Sequence, residues 1–227
     1  MNLKYFSRQS TLIDPSLLSK RVAILGVGGI GSWTAMALAK LGIRNFDLWD
    51  LDKVGEENIA SQVYDYRHVD MPKVRALVNV LEKQGEDWDD LSIITHEQDI
   101  LEADSLNDPD IIILAVDSLE ARKAIWKKHI VYTPADLFID GRMGGEYMRI
   151  FAVDLTNAEL MDRYENSLLN AESKPADIPC SERAIVYNTQ MIGGFIASLV
   201  KKHLVGQSYP NQLIFDLENY NLKALSL

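Results

Sequence analysis

The sequence predicts an α/β fold in which a mostly parallel sheet is flanked by helices, with a mixed or antiparallel C-terminal part. The first observation is a pair of short apolar runs, residues 21–26 and 110–116, which are rich in β-branched side chains. Such runs are typical of parallel strands covered on both faces. The second observation is helical spacing between the runs, since Val74, Leu77 and Leu81 share one face of a predicted helix. Repeated alternation of the two kinds of segment favours an α/β arrangement.

The predicted elements follow one another along the chain. Strands are expected at residues 21–26, 44–50, 91–95, 110–116 and 136–140, and helices at 33–41, 71–84 and 118–131. After residue 140 the pattern changes. Residues 147–154 alternate imperfectly and are expected to pair antiparallel, and helices at 158–169 and 187–204 precede a final strand at 213–217. Polar connections are expected at 51–69, 85–90 and 170–183, and two glycines inside the last helix, Gly193 and Gly194, indicate close backbone packing.

Composition limits the classes of function. The chain has 227 residues and a net charge of −10, which argues against a general nucleic-acid binder, although a few local cations can still hold a small anion. The single cysteine, Cys180, excludes an intrachain disulfide and a four-cysteine zinc site. The N-terminus lacks the apolar core of a signal peptide, and the longest apolar stretch, residues 191–200, is too short to cross a membrane. A soluble, cytoplasmic protein is expected.

A glycine-rich turn joins the first predicted strand to the first predicted helix. Its glycines fit the pattern G-x-G-x-x-G with one extra glycine: Gly26, Gly28, Gly29 and Gly31. Glycine lets phosphate oxygens approach the backbone closely, and a helix N-terminus offers unpaired N–H groups. Asp50 ends the next strand, where a carboxylate can bind ribose hydroxyls. A Rossmann-like nucleotide site is therefore predicted, but NAD, FAD and ATP enzymes all share this arrangement.

Further polar residues narrow the choice among nucleotides. They lie near the N-terminus or just beyond predicted strands, where ligands bind in open α/β sheets. The set comprises Arg8-Gln9, Asp50-Leu-Asp52, Asn58 with Gln62, Pro72-Lys73, and Asp117 with Arg122. In this order and spacing it resembles the ThiF/MoeB/HesA family of adenylating enzymes, which is related to the activating enzymes of ubiquitin-like proteins. The resemblance covers most of the chain and identifies it as one ThiF-like adenylation domain, 1–227, with a nucleotide-binding half (1–140) and a carrier-facing and dimerisation half (141–227).

The resemblance implies a chemistry. Members of the family use ATP and Mg²⁺ to convert the C-terminal carboxylate of a small protein or peptide into an acyl-adenylate, releasing pyrophosphate. By this resemblance the four glycines and Asp50 bind the nucleotide with Asp52, while Asn58 and Lys73 contact phosphates and Asp117 holds Mg²⁺. Arg8 matches an arginine that reaches the active site of the other subunit, which implies a homodimer. The expected partner is a ubiquitin-like or sulfur-carrier protein, or a peptide, with a free C-terminal carboxylate.

The sequence also departs from the family pattern. Ser61 stands where relatives have a phosphate-contacting arginine, and the asparagine after Asp117 is replaced by Ser118. Arg142, at a predicted strand end, is favoured over Arg67 as the replacement phosphate contact. The two CxxC pairs of many relatives are absent, so structural zinc is not expected and a divergent, zinc-free subgroup is indicated.

Cys180 falls where some relatives carry a cysteine that accepts an acyl group or sulfur. Arg183 and the following helix start would favour its thiolate, but a lone cysteine is most often an inert, buried side chain. Both possibilities stay open. The four histidines form no metal-binding pattern.

Two other classes of function remain as alternatives. One is an NAD-dependent oxidoreductase, which has no evident use for the asparagine, lysine and aspartate set. The other is a non-catalytic nucleotide-binding protein of the same fold, which the serine at position 61 favours. The acceptor of the activated group is not specified by the sequence.

Overall fold

The computed structural model describes residues 6–84, 91–169 and 184–226, so the predicted loops 85–90 and 170–183, with Cys180, lie outside the described residues. One eight-stranded sheet, in the order β3-β2-β1-β4-β5-β6-β7-β8, organises the described chain. Its strands are β1 (Arg21–Leu25), β2 (Asn45–Trp49), β3 (Ser92–His96), β4 (Ile111–Leu114), β5 (Leu137–Gly144), β6 (Tyr147–Asp154), β7 (Gln212–Asp216) and β8 (Asn221–Leu225). The helices are α1 (Gly29–Leu41), α2 (Lys73–Glu82), α3 (Leu119–Ile125), α4 (Ala158–Leu169) and α5 (Val186–Leu204). The predicted fold class is confirmed.

Strands β3, β2, β1, β4 and β5 pair in parallel. The central strands β1 and β4 are buried on both faces, which explains why their sequences are apolar almost throughout. The sheet has one apolar core on each face, and β1 contributes to both because Val22 and Ile24 point one way while Ala23 and Leu25 point the other. The carboxyl ends of the parallel strands form the edge on which the candidate site lies.

The second half of the sheet is antiparallel. Strand β5 turns into β6, and their pairing runs from Leu137 with Asp154 to Gly144 with Tyr147. The predicted antiparallel pairing of residues 147–154 is therefore confirmed. The prediction that the strand near residue 213 is the last one is wrong, since β8 pairs with β7. All five residues of β8 are exposed, so no buried face imposes an alternation of apolar and polar residues on its sequence.

Two helices, α1 and the predicted helix 118–131, differ from their predicted bounds. Helix α1 begins at Gly29, four residues before the predicted start, because Gly29 and Gly31 of the turn already adopt helical structure. The predicted helix 118–131 is interrupted: α3 ends at Ile125 and continues as a π-helical turn, Trp126–Ile130. None of the described helices is long and apolar enough to span a membrane.

Helices α1 and α5 pack closely against each other on one face of the sheet. A Cβ at Gly193 of α5 would lie 2.8 Å from the Trp33 carbonyl carbon of α1, so the predicted close packing explains this glycine. A Cβ at the neighbouring Gly194 would meet no atom within 4 Å, so close packing does not explain that one. The contact fixes the position of α1, and with it the glycine-rich turn.

Candidate nucleotide site

Two glycines of the turn are required by packing. Gly26 has φ of 92°, and a Cβ there would lie 2.8 Å from the Ala115 carbonyl oxygen at the end of β4. A Cβ at Gly31 would overlap the Gly26 carbonyl oxygen. Larger residues at either position would therefore force the turn away from β4 or α1 away from the turn. These glycines hold the turn tightly against the sheet.

Gly28 has a different environment. It is the N-cap of α1 and, as a glycine, supplies no side-chain hydrogen bond to the helix N-terminus. A Cβ at Gly28 would have only the Gln62 Nε2 atom nearby, at 3.9 Å. The first N–H groups of α1 and the positive end of its dipole lie at the carboxyl edge of the sheet. Such an end is suited to bind a phosphate.

Asp50 connects the end of β2 to this turn. Its Oδ2 accepts a hydrogen bond from the Val27 N–H at 2.8 Å, and its Oδ1 accepts one from the Asp52 N–H at 2.9 Å. Burial raises the pKa of Asp50, while the nearby charge of Lys73 and the two N–H groups oppose that rise. Each carboxylate oxygen keeps a further lone pair that can accept a hydroxyl hydrogen.

Lys73 and Asp52 form an ion pair beside the turn. The Lys73 Nζ lies 2.8 Å from Asp52 Oδ2, and the Lys73 N–H donates to the Asp52 carbonyl oxygen at 2.9 Å. The two side chains differ in exposure, with 10% of Lys73 and 58% of Asp52 accessible. Lys73 is the first residue of α2, where the helix dipole disfavours a cation. A buried ammonium held at this position is therefore available to a nearby anion.

Tyr64 lies between the glycine-rich turn and α2, and no motif in the sequence singled it out. Its hydroxyl donates to the Val27 carbonyl oxygen at 2.7 Å and also lies 3.3 Å from the Lys73 carbonyl oxygen. It thereby joins the glycine-rich turn to the start of α2. Burial, followed by the charge of Asp50, raises the pKa of Tyr64 well above its usual range. The only signal in the sequence was an aromatic residue within a polar segment.

Asn58 and Ser61 lie in the segment that leads to Tyr64. The Asn58 Oδ1 accepts a hydrogen bond from the Gly55 N–H at 2.9 Å, which shapes the short 3₁₀ helix Glu56–Asn58. The Ser61 carbonyl oxygen accepts bonds from Trp33 Nε1 at 2.9 Å and from Thr189 Oγ1 at 2.8 Å. The Ser61 carbonyl oxygen thus bonds to one residue of α1 and one of α5, the two helices that pack together.

Asp117 follows β4 and is exposed. It is not the N-cap of α3, because Ser118 has that position and accepts a bond from the Ala121 N–H at 3.0 Å. The Asp117 carboxylate is therefore free of a helix-capping role. Within residues 6–84, 91–169 and 184–226, no three His, Cys, Asp or Glu side chains cluster to hold a metal. A nucleotide-bound Mg²⁺ needs fewer protein ligands, since one or two carboxylates and the phosphates suffice.

Arg142 lies apart from the glycine-rich turn. Its Nε donates to Asp140 Oδ2 at 2.6 Å, and its guanidinium lies 4.6 Å from the centre of the Phe151 ring. Phe151 belongs to the core on the face opposite α1. Burial opposes the charge of Arg142, but Asp140 and Tyr164 together raise its pKa. Met143, one residue further, is the side chain that comes near the turn, 3.7 Å from the position of a Cβ on Gly29.

The other candidate for the missing arginine is also engaged. Arg67 is exposed and pairs with Asp65, its Nη2 lying 2.5 Å from Asp65 Oδ2. Arg142 and Arg67 are the two predicted replacements for the arginine absent at Ser61, and both have carboxylate partners in the structure. The replacement role stays a prediction.

Arg8 is not brought to the glycine-rich turn of its own chain. Its neighbour Gln9 donates through Nε2 to the Leu41 carbonyl oxygen at 2.6 Å. Leu41 is the last residue of α1, a helix of 13 residues whose other end forms the turn, so the helix places the two about 18 Å apart. Arg8 is exposed at that far end.

The chain is similar in sequence to activating enzymes of ubiquitin-like modifiers. It is 33% identical over 121 residues to the ubiquitin-like modifier-activating enzyme 5 of Drosophila ananassae, covering 47% of this chain and 30% of that protein. It is 30% identical over 135 residues to the NEDD8-activating enzyme E1 catalytic subunit of Arabidopsis thaliana, covering 54% and 29% respectively. The matches span only about three-tenths of the length of these relatives.

Solved structures share the fold. PaaA aligns with a TM-score of 0.77 at 20% identity, over 99% of this chain and 73% of that one. Escherichia coli MccB, crystallised with ATP, aligns with a TM-score of 0.73 at 17% identity, over 100% and 72%. E. coli tRNA N6-threonylcarbamoyladenosine dehydratase (TcdA), in complex with AMP, aligns with a TM-score of 0.67 at 19% identity, over 90% and 95%.

The model of the ThiF family matches residues 8–227, a range that includes the glycine-rich turn and all eight strands. The resemblance inferred from the motifs is confirmed, and the chain belongs to the ThiF family.

Proposed function

We propose that this protein is an ATP-dependent adenylyltransferase. It activates the C-terminal carboxylate of a small carrier protein or peptide as an acyl-adenylate and releases pyrophosphate. The observation that carries the proposal is the buried Lys73 ammonium, held by Asp52 beside the uncapped N-terminus of α1. Two sources of positive potential at one sheet edge suit a triphosphate. Sequence relatives that are activating enzymes support the same activity.

Different residues of the site bind the phosphates, the ribose and the metal ion of ATP. The N–H groups of the glycine-rich turn and of α1 receive phosphate oxygens, and Asp50 accepts hydrogen bonds from the ribose hydroxyls. Asp52 orients Lys73, whose ammonium exchanges this partner for phosphate oxygens. Asp117 is the expected ligand of a phosphate-bound Mg²⁺, which neutralises charge on the phosphates. Asn58 is the expected further phosphate contact.

The chemical step joins two anions and needs cations more than an acid and a base. A carboxylate oxygen of the carrier forms a bond to the α-phosphorus of ATP, and the bond from that phosphorus to the bridging oxygen of pyrophosphate breaks. The electron pair leaves with pyrophosphate, and no proton has to move. Lys73 and the α1 N-terminus stabilise the negative charge that gathers on the phosphoryl oxygens, which is how preorganised groups lower such a barrier.

Arg8 acts in the site of a second copy in this proposal. Its position at the far end of α1 from the turn argues against a role in its own site. A homodimer in which each chain supplies Arg8 to its partner agrees with what the family resemblance implies.

Three predictions from the sequence remain open beside this proposal. A covalent role for Cys180 concerns a residue outside the described ranges. The absence of structural zinc and a cytoplasmic location also stay predictions.

A thermal-shift and activity experiment tests the proposal. ATP with Mg²⁺ is expected to raise the melting temperature, because a ligand that binds only the folded state stabilises it, whereas NAD is expected to have no effect. The Lys73→Ala variant should lose most of the gain from ATP. Lys83→Ala, a change at the other end of the same helix, is the matched control and should keep the gain.

The activity assay uses a library of synthetic peptides with free C-terminal carboxylates and the same library with C-terminal amides. Pyrophosphate release with ATP is expected only from the free-carboxylate library, together with an AMP-sized addition to a peptide in mass spectra. Stabilisation by NAD instead of ATP, or equal release from both libraries, would contradict the proposal.

A further inference from the structure

The loop between β4 and α3 carries Asp117, which is the ligand of a phosphate-bound Mg²⁺ in the proposed function. It comprises residues 115–118, between the last residue of β4 and the first of α3. Loops are more mobile than the elements they connect, whereas a metal ligand binds well only when its carboxylate is held in place. The contacts that hold this loop therefore bear directly on the metal site.

The start of the loop lies against the glycine-rich turn. The Ala115 N–H donates to the Leu25 carbonyl oxygen at 2.8 Å, and a Cβ on Gly26 would lie 2.8 Å from the Ala115 carbonyl oxygen. Asp117 follows only two residues after this point of contact, and it is exposed. The loop therefore brings a carboxylate next to the turn that is proposed to bind phosphate.

Arg122 holds the middle of the loop from α3. Its Nη2 donates to the Val116 carbonyl oxygen, immediately before Asp117, and also to the Gly141 carbonyl oxygen of β5 at 3.1 Å. Helical side chains lean toward the helix N-terminus, so an arginine near the start of α3 reaches back to the loop that precedes the helix. One guanidinium nitrogen thus joins the loop to the neighbouring strand.

Asp140 holds another part of the same guanidinium. Its Oδ1 accepts a hydrogen bond from Arg122 Nη1, while its Oδ2 accepts bonds from Arg142 Nε at 2.6 Å and from the Tyr164 hydroxyl at 2.8 Å. Arg142 in turn lies opposite Arg149 of β6. Asp140 is fully buried, and only 6% of the Arg122 side chain is accessible. The pair is therefore shielded from water, which strengthens its hydrogen bonds and fixes its geometry.

We propose that Arg122 is a positioning residue for the metal ligand of the nucleotide site. Anchored by Asp140, it holds the Val116 carbonyl oxygen and so fixes the backbone that carries the Asp117 carboxylate. The inference rests on the proposed function, which makes Asp117 a ligand of Mg²⁺ on the phosphates. Residues that orient a metal ligand without touching the metal commonly change metal affinity by about 10–100-fold.

Three acceptors explain why an arginine occupies this position. A planar guanidinium presents five N–H donors in fixed directions, so it can bond to Asp140, Val116 and Gly141 at the same time. A lysine keeps the charge beside Asp140 but lacks the fork that reaches both the strand and the loop. Arg122→Lys is therefore expected to keep the buried ion pair and to release the loop. Tyr164→Phe is the matched control, because the Tyr164 hydroxyl bonds to the other oxygen of Asp140.

Two titrations separate metal affinity from nucleotide affinity. Binding of Mn²⁺ to protein saturated with α,β-methylene-ATP is followed by electron paramagnetic resonance, and binding of mant-ATP in EDTA is followed by fluorescence anisotropy. Arg122→Lys should weaken Mn²⁺ binding at least about tenfold and change mant-ATP binding less than about twofold. Tyr164→Phe should leave both affinities unchanged. A purely structural role of Arg122 would change both affinities or neither.

A double-variant cycle tests whether Arg122 acts through Asp117. Asp117→Asn alone should weaken Mn²⁺ binding by at least as much as Arg122→Lys does. Adding Arg122→Lys to Asp117→Asn should then weaken it no further, because residues that act through one another are not additive. Losses that add would mean that Arg122 acts elsewhere, and they would overturn the proposal.

Arg122→Gln is the second variant if Arg122→Lys does not fold. It introduces no charge, and Asp140 keeps Arg142 and the Tyr164 hydroxyl, so no buried ion is left unpaired. The same loss of Mn²⁺ affinity is expected. Unchanged Mn²⁺ binding in the folded variant, or an equal loss in Tyr164→Phe, would overturn this proposal and leave the proposed function intact. If the natural protein binds mant-ATP neither in EDTA nor with Mn²⁺, the proposed function is wrong, and this inference with it.

Discussion

Two ion clusters lie at the carboxyl edge of the sheet, one on each side of β4, and they differ in how completely their charges are satisfied. On one side, Asp52 pairs with Lys73, and more than half of the Asp52 side chain is exposed. On the other side, Asp140 is fully buried and bonds to Arg122, Arg142 and the Tyr164 hydroxyl. Arg122 also donates to the carbonyl oxygens of Val116 and Gly141. The first cluster can exchange partners, and the second joins strand ends.

The comparison separates binding chemistry from structure. A water-accessible pair is worth little to stability, so Asp52 can release Lys73 to a ligand at low cost. A buried carboxylate that satisfies two guanidiniums cannot be removed without leaving charge in an apolar core. Both clusters combine aspartate with basic residues near strand ends, and only burial distinguishes their roles.

The largest expected effect is the loss of Asp140. Asp140→Ala leaves Arg122, which is 6% exposed, without its carboxylate and leaves the Tyr164 hydroxyl unpaired. The free energy of unfolding should fall by about 3–5 kcal/mol, as for other broken buried pairs. Urea denaturation followed by circular dichroism measures this. A loss below about 1 kcal/mol would show that the cluster is not structural.

Asp47 extends the comparison to a buried carboxylate that is poorly paired. It is fully buried in β2, neither of its oxygens has a hydrogen-bond partner in the described chain, and Arg21 Nε lies 3.4 Å away. Burial raises the pKa of Asp47, and the charge of Arg21 only partly opposes the rise. A carboxyl group whose pKa is raised by folding favours the folded state when protonated. That advantage is present below the unfolded pKa, about 3.9, and is lost as the pH rises through the folded value.

The Asp47→Asn variant removes this ionisation. The free energy of unfolding of the variant minus that of the natural protein should become more positive as the pH rises above the unfolded pKa of about 3.9, and level off above the raised folded pKa. Urea denaturation at a series of pH values gives this difference. Asp110→Asn is the control with the opposite sign: burial opposes it, but Lys20 and the Arg21 N–H lower the pKa of Asp110 overall. Its difference should become more negative as the pH rises through the lowered folded pKa to the unfolded value of about 3.9, and stay level above it, so the series of pH values extends below that value. A pH-independent difference for Asp47→Asn would contradict the assignment.

The sequence predicted the parts of the fold in which burial is complete. The apolar runs around Ile24 and Ile113 identified β1 and β4 to within two residues, because both faces of each strand are covered. The glycine-rich turn was predicted with its neighbouring strand and helix for the same reason. Strand β8 was missed because its residues are exposed, so burial imposes no pattern on them.

The role of a site residue was harder to predict where it depends on which face of the sheet the side chain points to. Arg142 was predicted just beyond a strand ending at residue 140, but β5 runs on to Gly144 and holds Arg142 within it. Strand periodicity sends residues 142 and 143 to opposite faces, and Met143 is the one near the turn. Tyr64 bonds to Val27 across 37 residues of sequence, a contact that no local pattern reports. The pairing of Arg142 with Arg149 likewise needed the register of β5 against β6.

The smallest expected effect is the loss of the exposed carboxylate in the first cluster. Asp52→Asn keeps the shape of the side chain and the backbone bond from the Lys73 N–H to the residue 52 carbonyl oxygen, but it removes the charge that faces Lys73. Because Asp52 is largely exposed, the free energy of unfolding should change by less than about 1 kcal/mol. Urea denaturation beside Asp140→Ala compares the two clusters under one set of conditions. A loss from Asp52→Asn as large as that from Asp140→Ala would mean that the Lys73 pair is itself structural, and Lys73 would then not be free to exchange Asp52 for a phosphate.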